Sequence, residues 1–105
     1  MSAPTVVLKR RDPAVTAGRA HAVLDATARM HRDWPRAGRL AMNEAFIALH
    51  TALEEYRAAV DEDGDAEAAA ETAAYAMALL LLSVSVFLGK AVADEMARNA
   101  AEVAK

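Results

Sequence analysis

Residues 72–89 read TAAYAMALLLLSVSVFLG, eighteen consecutive positions without a charge. Within and beyond this run, Tyr75, Leu79, Leu82, Val86, Gly89, Ala93, Met96, Ala100 and Val103 alternate spacings of four and three. That period is a heptad-like helical stripe, not the alternation of a strand. A second stripe (Met77, Leu80, Val84, Phe87, Ala91) and a third (Ala78, Leu81, Ser85, Leu88, Val92) fill the rest of the circumference. A helix apolar all round must be covered on every side, by protein or by lipid. The pattern predicts one long helix over residues 66–103.

Upstream, Met42, Phe46, Leu49, Leu53, Tyr56 and Val60 repeat the same spacing, with Leu40 and Ile47 beside them, and predict a helix over 36–60. Between the two helices lies DEDGDAE, residues 61–67, where Gly64 offers a positive φ and Asp65 an N-cap. So short a link makes the two helices an antiparallel hairpin. Nearer the start, Asp12-Pro13 supplies an N-cap and an N1 proline. Ala20, Val23, Leu24, Thr27, Met30, His31 and Trp34 then share a face, which predicts a helix over 13–33. Pro35 restricts Trp34 to non-helical geometry and makes a corner there. Residues 1–11 read as an N-terminal arm and 12–105 as a single helical domain. The expected fold is all-α, with three helices completed as a bundle by oligomerisation.

Composition agrees. A chain of 105 residues holds one domain. Alanine is abundant while Gly and Pro are scarce, which favours helix. There is no cysteine, which excludes disulfides, thiolate metal sites and a cysteine nucleophile. Nine Arg against three Lys fits a GC-rich bacterial genome. The first residues lack the charged and apolar regions of a secretory signal, so the expected compartment is the cytoplasm. Residues 1–42 carry a net charge of +5 and residues 43–105 a net −8, which together make the total of −3. That polarity favours attraction between ends of chains rather than nonspecific nucleic-acid binding by the whole surface.

Helix lengths give the first functional expectation. At 1.5 Å per residue the third helix spans roughly 55 Å and the second roughly 37 Å, so the hairpin leaves the third partly bare. A second copy is the expected cover. The self-association face is expected at Leu81, Ser85, Leu88, Gly89, Val92 and Ala93, opposite Tyr75, Leu79 and Leu82. Small residues four apart, Ser85, Gly89, Ala93, Ala97 and Ala101, allow two such helices to approach closely. The competing reading takes 72–89 as a membrane span at the lower length limit, diluted by alanine, serine and threonine and lacking aromatic belts.

Chemistry is sparse. His21 with Asp25 and His50 with Glu54 are each four apart, and together make a minor candidate for a metal site. Neither Glu-x-x-His nor His-Glu-x-x-His occurs, and the ordinary role of such pairs is a surface hydrogen bond. Phosphate loops and nucleophile elbows are absent, so neither catalytic residue nor cofactor is expected and the chain reads as non-enzymatic. Ser83 and Ser85, inside the apolar run, are expected to bond back to the preceding turn. Arg29, Arg32, Arg36 and Arg39 flank Trp34 at spacings of three, four and three. If the corner stays helical they form a ridge suited to anions, nucleobases or an acidic partner. The leading expectation is a homo-oligomeric scaffolding protein with a protein partner; anion or nucleic-acid binding comes second and membrane insertion third.

Overall fold

The computed structural model describes residues 12–104; the expected N-terminal arm lies outside them. Among these residues every regular element is helical. The first helix, α1, runs Pro13–Arg29. The Asp12 carboxylate accepts from the Ala14 N–H at 2.9 Å, and Pro13 occupies the first turn, where it forfeits no hydrogen bond. The helix stops four residues short of the expected 33. His31–Asp33 tightens into a 3-10 turn, and Trp34 is extended at ψ 128. Pro35 excludes α geometry at Trp34, and leaving the helix lets the indole turn inward, where it is 3% exposed.

A second 3-10 turn, Arg36–Gly38, leads into α2, Arg39–Asp61. Gly38 is needed here: a Cβ on it would come 2.3 Å from the Phe87 ring. At the far end the Gly64 N–H reaches back to the Ala59 carbonyl at 2.7 Å and closes the helix. The left-handed residue of this turn is Asp63 (φ 56), not the expected Gly64. A short polar side chain tolerates that region, which frees the glycine from it. Asp65 then caps α3, Ala66–Leu88, accepting from the Ala68 N–H at 3.0 Å.

The expected helix over 66–103 is in fact two. Gly89, at φ 110 and ψ 148, separates α3 from α4, Lys90–Val103. These angles belong to a region essentially closed to residues with a Cβ. The break folds the end of the chain back over α1, so that a Cβ on Gly18 would lie 3.4 Å from that of Ala104. Ala93, Met96 and Ala100 are thereby buried instead of projecting on a rod.

The hairpin of α2 and α3 forms the most extensive helix pair, and α1 lies across α3 and α4 with less contact to α2. The largest fully buried side chains are Met42, Leu49, Leu80, Val23, Val84 and Thr27. Thr27 is satisfied by donating to the Val23 carbonyl at 2.6 Å. Of the sixteen buried hydrophobic residues among those described, eight are alanines. So small a contact residue lets helix axes approach closely.

Candidate interaction face

On α3 the buried positions are Ala70, Ala73, Ala76, Leu80 and Val84. Turning about a third of the way or more round the helix, at 100° per residue, reaches Tyr75, Leu79, Leu82 and Val86. These four are 70%, 43%, 60% and 66% exposed. They form a continuous apolar stripe with no charged residue between Glu71 and Lys90. The Ser83 hydroxyl beside it donates to the Leu79 carbonyl at 3.2 Å, the back-bonding its position in the apolar run foretold.

The exposed stripe is not the one that the sequence spacing singled out. Leu81, Leu88 and Val92 were expected bare; they are half-buried and packed against the core. Ser85 and Gly89 are likewise half-buried, and Ala93 is fully so. The break at Gly89 turns α4 back against α1 and α3, so this stripe does not continue as one bare row. Tyr75, Leu79 and Leu82, expected inside, are the ones left out. Side-chain size was the available signal, because neighbours crowd the inward face most closely and select alanine there.

The α2–α3 hairpin adds further apolar exposure. Leu40 is 72% exposed and Ile47 61%. Because Gly38 abuts Phe87, the antiparallel pairing sets Leu40 about level with Val86 and Ile47 about level with Leu79.

The arginines surround the corner. Arg29 closes α1, Arg32 sits in the first 3-10 turn, Arg36 in the second, and Arg39 starts α2; all four are exposed. The expected helical ridge is interrupted by the extended Trp34-Pro35 step. Trp34 is not open for stacking on a ligand: its ring meets His31 at 4.6 Å and Phe46 at 6.1 Å between centroids. Its indole N–H is buried without a hydrogen-bond acceptor. Arg39 donates to the Trp34 carbonyl at 3.4 Å and so braces the corner. The acidic loop 61–65 lies at the other end of α2, whose 23 residues span roughly 34 Å. Over four Debye lengths, the two charge clusters of one chain scarcely interact.

The histidine pairs are where their spacing puts them. His21 Nδ1 lies 3.1 Å from Asp25 Oδ2, and His50 Nδ1 lies 3.6 Å from Glu54 Oε1, all well exposed. His21, His50, Glu54 and Arg57 line one shallow cleft of about 200 Å³ between α1 and α2. Among the described residues no three His, Cys, Asp or Glu side chains converge on a metal-binding point.

Comparison with known proteins adds nothing to this geometry, since no protein-family profile, curated protein or solved structure matches the chain.

Proposed function

We propose that this protein is a non-enzymatic helical interaction and scaffolding component that self-associates through the outer face of α3. The observation that carries the reading is the exposed stripe Tyr75, Leu79, Leu82 and Val86 on a charge-free segment. Apolar patches of this kind mark interaction sites, whereas scattered single residues do not. Fully burying a leucine-sized side chain contributes about 1.5–3 kcal/mol, so four half-exposed ones doubled by symmetry supply a term comparable to the roughly 4–15 kcal/mol that association costs.

A second reading has its own support. α3 is the one described helix long and apolar enough to cross a membrane, and only 22% of its 18-residue apolar window is buried within the chain. Against it stand Leu80 and Val84, fully buried on the same helix beside the core residues Met42 and Leu49. The arginine corner as an anion or nucleic-acid site comes third, since the buried Trp34 removes the aromatic platform from it.

Sedimentation of the purified chain in detergent-free buffer tests these readings together. The expected result is an oligomer that Leu82→Glu converts to a helical monomer. A monomeric wild type refutes self-association. Retention in the membrane fraction through a carbonate wash assigns the apolar face to lipid, and tight, salt-sensitive oligonucleotide binding promotes the arginines.

A further inference from the structure

We infer that the partner on the outer face of α3 is a second copy lying antiparallel, with Tyr75 opposite Val86 and Leu79 opposite Leu82. This rests on the self-association proposed above and adds direction and register to it. The spacing Tyr75–4–Leu79–3–Leu82–4–Val86 reads the same in both directions. A two-fold axis between Leu79 and Leu82 therefore brings the stripe onto itself, as an isologous interface requires.

Charge selects the direction. α3 begins beside the acidic loop, with Asp61, Glu62, Asp63 and Asp65 exposed, and carries Glu71 one turn before Tyr75. It ends at the corner, where Gly38 meets Phe87 and Arg36, Arg39 and Lys90 are exposed. In a parallel pair, acidic start meets acidic start and arginine corner meets arginine corner. In the antiparallel pair, Glu71 of one copy comes level with the other's Lys90, whose ammonium also meets its own Asp94 at 2.6 Å, and the acidic start of α3 lies toward the partner's arginine corner. The opposite charges, some 34 Å apart within a chain, are brought to an axial offset of roughly 9–15 Å between chains. Complementary charge of this sort suppresses the wrong orientation and guides encounter.

The chain has no cysteine, so introduced thiols report without background. Tyr75→Cys and Val86→Cys both change exposed positions and leave the core intact. Each variant is first checked for wild-type mass by sedimentation and for helicity, then oxidised or treated with a short bis-maleimide. The expected result is a covalent dimer in the mixture of the two variants and none with either alone. Across two packed helices, opposed residues are within reach, whereas Tyr75 and its own copy are offset by eleven residues, about 16 Å along the axis. Covalent dimers from each variant alone mean a parallel pair and overturn the register while self-association stands. Dimeric mass with no cross-link in any sample overturns this face as the interface. Monomeric mass throughout overturns the underlying reading as well.

Discussion

Leu80 and Leu82 stand two residues apart on the same helix, and their truncation should affect different equilibria. Leu80 is fully buried and Leu82 is 60% exposed. Leucine to alanine removes three carbons, a transfer loss of about 2.4 kcal/mol at about 0.8 per buried carbon. At Leu80 the close-packed surroundings collapse incompletely, and the residual cavity brings the expected loss to about 2.7–5 kcal/mol. At Leu82 only the covered 40% counts within the chain, about 1 kcal/mol, and the higher helix propensity of alanine offsets a little of that. Urea unfolding followed by circular dichroism, repeated across a series of concentrations, separates the two effects. Leu80→Ala lowers the midpoint at every concentration. Leu82→Ala lowers the dilute midpoint by much less and abolishes the rise in stability that association adds on concentrating the wild type. A dilute-limit loss above about 2 kcal/mol for Leu82→Ala would refute the assignment of its face, because a loss that large belongs to buried positions.

Four further outcomes are expected. Gly38→Ala drives a methyl into the Phe87 ring and costs about 1–3 kcal/mol of overpacking, which Gly38→Ala with Phe87→Leu relieves in the same melts. Gly89→Ala meets no neighbour but confines an alanine to φ 110, so thermal melts should show a loss of about 1–3 kcal/mol, all of it from the backbone. Asp65→Ala removes the cap that receives the Ala68 N–H and costs about 0.5–2 kcal/mol by urea unfolding, whereas His50→Ala, at an exposed pair, stays within about half a kcal/mol.

Helix starts were legible because capping is local: Asp12 and Asp65 act on N–H groups two and three residues away. The hairpin followed from a link too short to allow anything else. Gly89 was not legible as a break, since a glycine inside a helix costs only about 1 kcal/mol and the apolar stripe runs straight through it. What decides the break is the burial of Ala93, Met96 and Ala100 beneath α1, a tertiary effect invisible in the period. The outer face failed to show for the same reason. On a helix apolar around its whole circumference, periodicity marks the stripes but not which of them looks outward. The arginine spacing likewise presumed a continuous helix, and Trp34 left that helix to reach the interior.

The alanine-built interior has a calorimetric consequence. An alanine methyl loses no rotamer freedom on folding and hides little apolar surface. The heat-capacity increment of unfolding follows apolar area, at about 0.45 cal/K/mol per Å². With half of the buried hydrophobic positions alanine, that increment is small for a chain of this length, and the curve of stability against temperature is correspondingly flat. The large apolar side chains on the outside of α3 hold the surface that the interior lacks. In the proposed pairing of copies, covering them adds a further increment of heat capacity, so the assembled form has the more curved stability profile.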